Sequence, residues 1–303
     1  MSTQAPELQM QVGGISQVGG RSNNEDAILI QELAPDSQLP LGGWVLAVAD
    51  GMGGRANGEV ASSLAIQTLH EVFASGQQPD AAMALKQAYR QANEAIYAAA
   101  GEGDDDRPGT TLVTAVVRGK YVTIANVGDS RAYLLRANQL TQITQDHSVV
   151  AEQVAAGTLP PEAERTSPQR NILTAAIGTR PQLERRLPAI YEMMLLPEDR
   201  LLLCSDGFYD VLGTDDYLQL MTGEDAQSAA LALTDLATQR RTTDNVSAVV
   251  LAVGSSLATM QRAEIARDLA EHRAEHGTSI LVPVVILILL TAFVAAGVWY
   301  WMF

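Results

Sequence analysis

The chain has 303 residues, with 20 Lys and Arg against 35 Asp and Glu, for a formal charge of −15 at pH 7. That length allows one large core or two modest ones, and an acidic balance without a basic stripe argues against a nucleic-acid partner. The single cysteine, Cys204, excludes an internal disulfide; inside Leu201-Leu-Leu-Cys204 it reads as a small buried side chain.

In chain order, short apolar runs predict strands over Ile28–Glu32 and Trp44–Ala49. Apolar residues at helical spacing then predict helices over Glu59–Ala74 and Asp80–Ala100. Strands follow at Leu112–Arg118, Tyr121–Val127 and Ala132–Arg136, with short turn-like links that suggest antiparallel hairpins on both sides of the middle strand. Arg200–Cys204 reads as another strand, Ala226–Arg240 as a helix and Val246–Val253 as a last strand. Helices between groups of strands fit sheets covered by helices in layers. The acidic loop Glu102, Asp104, Asp105, Asp106 reads as solvated charge rather than a metal site.

Four aspartates stand at the ends of, or just before, apolar runs: Asp50, Asp129, Asp206 and Asp244. Glycine is the immediate neighbour of three, in Asp50-Gly51, Gly128-Asp129 and Asp206-Gly207. A carboxylate where a strand leaves the core is held rigidly yet reaches solvent. Several converging carboxylates repel one another unless a cation neutralises them, and all-oxygen ligands suit magnesium or manganese.

Six motifs occur in order: Arg21-Ser-Asn-Asn-Glu25-Asp26, Asp50-Gly-Met-Gly-Gly54, Gly109-Thr-Thr111, Gly128-Asp-Ser-Arg131, Ser205-Asp-Gly207 and Asp244-Asn-Val-Ser247. Together they resemble the type 2C family of metal-dependent protein serine/threonine phosphatases, in its bacterial form, over roughly residues 10 to 254. The resemblance implies an α+β four-layer sandwich, two central antiparallel sheets flanked by helices, with a two-metal site for manganese or magnesium at one end. It implies that Asp50 bridges the metals, that the Gly51 carbonyl binds one of them, and that Asp206 and Asp244 complete the shell of the other. Glu25 and Asp26 match the pair that orients metal-bound waters, and Arg21 matches the phosphate clamp. Asp129, with Asp206, matches a third, weaker metal site. Residues 157 to 178 loosely resemble the variable flap beside the site. Phosphorylated proteins are the implied substrates, with a serine/threonine kinase or its targets as partners.

The residue chemistry agrees. Two dications against Asp50, Asp206 and Asp244 leave a net positive site for a phosphate dianion, and a water between two cations ionises near neutral pH. A guanidinium at position 21 can grip two phosphate oxygens at once. Competing chemistries fit poorly. A cysteine-dependent phosphatase needs an arginine six positions after its nucleophile, where Cys204 has Asp210. Gly128-Asp-Ser130-Arg131 is not the Gly-x-Ser-x-Gly elbow of a serine hydrolase. Met52 stands where many eukaryotic members carry a histidine proposed to protonate the leaving oxygen, so that role must pass to another group. The alternatives are a non-catalytic signalling module, which would have lost a metal aspartate, and a phosphatase of a small phosphorylated molecule.

The two ends differ. The N-terminus has no basic start or long apolar stretch, so no signal peptide is expected. Residues 255–279 read as a charge-laced helical linker, and from Gly277 to Phe303 no residue is charged. Residues 280–303 at ~1.5 Å each span about 36 Å, enough to cross a ~30 Å hydrocarbon core. Trp299, Tyr300 and Trp301 suit an interfacial belt, and Arg262, Arg267 and Arg273 precede the segment. The expectation is a single-pass anchor in the inner membrane with the catalytic domain, residues 1–254, in the cytoplasm.

Overall fold

Every residue of Val45-Leu-Ala-Val-Ala49 is fully buried, so this stretch is covered on both faces. Successive strand side chains point to opposite faces, and the partners divide accordingly in the computed structural model. It describes residues 9–35, 42–53, 57–75, 80–100, 107–222 and 225–254, all within the unit that ends at Ser255. Val45, Ala47 and Ala49 pack with Ala61, Leu69, Leu85 and Tyr89 of two helices. Leu46 and Val48 pack with Leu134, Leu201, Leu203 and Val249 of a second sheet. A third core lies on the far side of that sheet, where Leu202, Cys204 and Val250 meet Phe208, Ala230 and Leu233. Three cores separate four layers.

The strands are β1 (Met10–Gln17), β2 (Asp26–Leu33), β3 (Gly43–Met52), β4 (Gly109–Thr110), β5 (Leu112–Arg118), β6 (Tyr121–Val127), β7 (Arg131–Arg136), β8 (Gln139–Gln142), β9 (Ala189–Met194), β10 (Arg200–Cys204) and β11 (Val246–Val253). The helices are α1 (Asn57–Ala74), α2 (Ala81–Ala99), α3 (Val149–Ala155), α4 (Asp206–Tyr209), α5 (Thr214–Leu220) and α6 (Ala226–Gln239). One sheet has the order β1-β11-β10-β7-β8; the other has β2-β3-β5-β6-β9, with β4 beside β3. The pairs within both sheets are antiparallel.

The expected β5–β6 hairpin forms around Gly119-Lys120. The expected second hairpin does not: β6 and β7 belong to different sheets. Gly128, at φ +104°, turns the chain across, because its missing Cβ would lie 2.6 Å from the Thr111 side chain. Strand β1 was hidden by Gly13-Gly14, which reads as a turn. A Cβ at Gly13 would strike the Gln227 backbone at 2.3 Å, so glycine lets the start of α6 close over this edge strand. The Gln227 amide then accepts from Gly14 N and donates to Gly14 O. Helix α2 is fixed by buried Tyr89, whose hydroxyl lies 3.0 Å from Leu112 O and 2.9 Å from Ala125 O, bridging β5 and β6.

Among the described residues no helix is long and apolar enough to cross a membrane. The candidate anchor 280–303, the linker 255–279, Gly54 and the acidic loop at 102–106 lie outside the described residues.

Candidate active site

Asp50 sits near the end of β3, directly opposite Asp26 of β2. Its backbone is held by the Gly109-Thr-Thr111 motif. Asp50 N donates to Thr111 Oγ1 at 3.1 Å, while Asp50 O accepts from Thr111 N and Thr110 Oγ1, each at 2.9 Å. Gly51 N donates to Glu25 O at 3.1 Å. Backbone crowds this point: a Cβ on Gly51 would lie 2.1 Å from Gly58 O, and one on Gly58 would lie 2.6 Å from the Glu25 carboxylate. Gly58, in the first turn of α1, was not read as part of the site; its only signal was a glycine where a helix starts.

Asp206 opens α4 directly after β10. Its loop lies against the loop before β11, so a Cβ on Gly207 would meet Asn245 O at 2.0 Å. Asn245 stitches in the Arg21–Glu25 loop: Oδ1 accepts from Glu25 N at 2.9 Å, and Nδ2 donates to Val18 O and Asn23 O, each at 2.8 Å. The strand ends of both sheets thus deliver their carboxylates to one place. A cleft of about 730 Å³ is lined by Arg21, Glu25, Asp50, Gly51, Asp129, Asp206 and Asp244, with Thr111 and Asn245. It is also lined by Asn171–Ala176, from the segment compared with a flap, and by Thr179 and Arg180 just beyond that segment.

Two expected residues take up particular positions. Asp26 does not line the cleft; it is buried behind it, and Ser205 Oγ donates to its Oδ2 at 2.8 Å. Burial pushes its carboxyl up to about 6, moderated by the Ser247 and Ser205 hydroxyls. Arg21 reaches the cleft while paired with an acid: Nη2 lies 2.6 Å from Asp244 Oδ2, and Nε donates to Thr243 O. His147 does not line the cleft; its Nδ1 accepts from Gly128 N at 3.1 Å, and burial lowers its pKa.

The site is electrostatically unbalanced. Burial, then the neighbouring Asp26, Asp206, Asp129 and Asp244, hold the Asp50 carboxyl well above the usual carboxylate range. Asp206 is raised likewise by burial and by Asp129 and Asp244. Asp129 is pushed up to about 7 by burial and by Asp146. Asp206 Oδ1 and Asp26 Oδ1 are buried without a hydrogen-bond partner, and a lone buried carboxylate oxygen is costly. Among the described residues no three acidic, histidine or cysteine side chains close into a tight cage. The carboxylates instead line an open chamber. Hard oxygen donors that leave coordination positions open suit dications such as manganese or magnesium, with water filling the remainder.

The family model for protein phosphatase 2C matches residues 14–237. The chain belongs to the protein phosphatase 2C family. It is 36% identical over 231 residues to the serine/threonine protein phosphatase PstP of Mycobacterium tuberculosis, a match covering 76% of this chain and 42% of that protein. It is 37% identical over 176 residues to the serine/threonine phosphatase stp of Listeria welshimeri, covering 55% of this chain and 68% of the relative. Among solved structures, the catalytic domain of PstP in complex with two manganese ions superposes with a TM-score of 0.71 at 32% identity, over 82% of this chain and all of that one.

Proposed function

We propose that this protein is a metal-dependent phosphatase that removes phosphate from serine and threonine side chains of proteins and is held at the inner membrane by residues 280–303. The convergence of Asp50, Asp206, Asp129 and Asp244 on one cleft, with Asp206 Oδ1 buried and unpartnered, carries the reading. Asp50, Asp206 and Asp244, with the Gly51 carbonyl, are assigned to hold two manganese or magnesium ions, and Asp129 with Asp206 a weaker third. Bound there, the ions supply Lewis-acid charge and acidify water to near neutrality.

The rest of the work falls to the chain. Glu25 at the cleft wall and Asp26 behind it orient water, the latter fixed by Ser205. Arg21 swings from Asp244 onto the phosphate, where its planar fork matches two oxygens. Thr110 and Thr111 keep Asp50 from drifting, since a misplacement of an ångström is costly in catalysis. All the metal aspartates are present, which disfavours a non-catalytic module. The membrane assignment rests on the charge-free 280–303 segment. A serine/threonine kinase, or its targets, is the proposed partner.

The test is phosphate release from a phosphothreonine peptide by the full chain in detergent with manganese, magnesium or chelator. Turnover is expected with either metal and should vanish with chelator. Metal-independent release, or none under any condition, would overturn the reading.

A further inference from the structure

The segment Arg180-Pro-Gln-Leu-Glu-Arg-Arg186 sets three arginines against one glutamate, in a chain whose formal charge is −15. Its first residue, Arg180, lines the cleft, where it and Arg21 are the only cationic residues among the described lining. The two differ in what they touch. Arg21 is bound to Asp244 and Thr243 within the site. Arg180 pairs with Glu184 at 3.1 Å, a partner it shares with Arg186, and its side chain is 65% exposed. A pair this exposed is weak and easily exchanged for another carboxylate.

The backbone carrying Arg180 is fixed. Asn93, buried on α2, donates from Nδ2 to Arg180 O at 3.0 Å and accepts from Gly178 N at 2.8 Å. Gly178 has φ +89°, and a Cβ there would lie 2.1 Å from the Ile96 side chain. Ile177 exchanges hydrogen bonds with Thr110, which itself holds Asp50. The arginine is thus tied through two residues to the aspartate assigned to the metals. A held backbone confines the reach of the exposed guanidinium to the cleft rim.

We propose that Arg180 is a specificity-determining residue that reads an acidic side chain close to the phosphorylated residue of a protein substrate. This rests on the phosphoprotein phosphatase reading above. In a chain with a net negative charge, a rim arginine on a held backbone favours a carboxylate-bearing peptide. Arg186, released from competition for Glu184 when Arg180 turns to substrate, keeps that glutamate paired.

The test compares two phosphothreonine peptides in the full chain with manganese, one flanked by Asp and Glu and the other by Asn and Gln. The readout is the ratio of their kcat/KM values, which is independent of the fraction of each variant that is folded. Arg180→Ala should cut the acidic-to-neutral ratio about threefold to fivefold, the size of an exposed ion pair, acting through KM. Arg180→Glu should cut it about tenfold, Arg180→Lys should restore most of it, and added salt should shrink the wild-type preference. A wild type without acidic preference, or a ratio unmoved in all three variants, overturns the role of Arg180 while leaving the phosphatase reading intact. No release from either peptide by the wild type overturns that reading instead.

Discussion

Arg21 shows how much a single side chain's partner matters. A clamp that meets only substrate would leave metal binding untouched when removed, but here its guanidinium sits on Asp244, an assigned metal ligand. On the proposed reading the same guanidinium that grips phosphate also steadies the loop that carries Asp244. Arg21→Ala is expected to raise KM for a phosphopeptide by about tenfold to a hundredfold, the worth of charge-assisted hydrogen bonds. The manganese Kd should change far less than KM, because the guanidinium itself ligates no ion. Isothermal titration alongside kinetics checks both numbers, and a parallel loss of metal affinity would mark Arg21 as structural. Cys204 tells the opposite story: burial pushes its thiol up to about 12, so it packs and does not react.

At the scale of elements, strands that are mostly apolar were legible, because burial on both faces admits few polar residues, such as Thr114, Asn126 and Ser247. β5, β6, β10 and β11 have the bounds read from sequence. β1 and β9 were missed for local reasons. Gly13-Gly14 mimics a turn, and Ala189–Met194 is a half-buried edge without a clear run. The crossing from β6 to β7 was misread as a hairpin because sequence does not reveal that Gly128 turns away from the sheet. The metal-ligand candidates were legible as motifs, and so were Thr110, Thr111 and Asn245 as motif members, but what each of these holds was not. Gly58 and the Asn245 amide act by contacts between segments distant in the chain. The same holds for Tyr89, which joins α2 to two strands through one hydroxyl. Tyr89→Phe would leave buried carbonyls short of a donor, at a cost of about 1–3 kcal/mol. Urea unfolding should show that loss while peptide turnover at 25 °C persists; an unchanged midpoint would mean the hydroxyl carries no weight in holding α2.

At the scale of the whole molecule, residues 280–303 carry no charge, and on the proposed reading they span a membrane. A spanning helix is effectively irreversible, unlike an amphipathic or lipid attachment, and it would raise the local concentration of membrane-associated phosphoproteins without altering chemistry. The full chain should resist carbonate and high salt and need detergent for release; recovery in a high-salt soluble fraction would exclude a spanning segment. The buried like charges at the strand ends are proposed to be a metal site and not an accident of folding. Asp206→Asn keeps the shape of the side chain and removes the ligand charge, so the phosphopeptide assay with manganese decides the matter. The variant is expected to fold while its manganese-dependent release falls by at least about a hundredfold. Release close to the wild-type rate would exclude a metal-ligand role for Asp206.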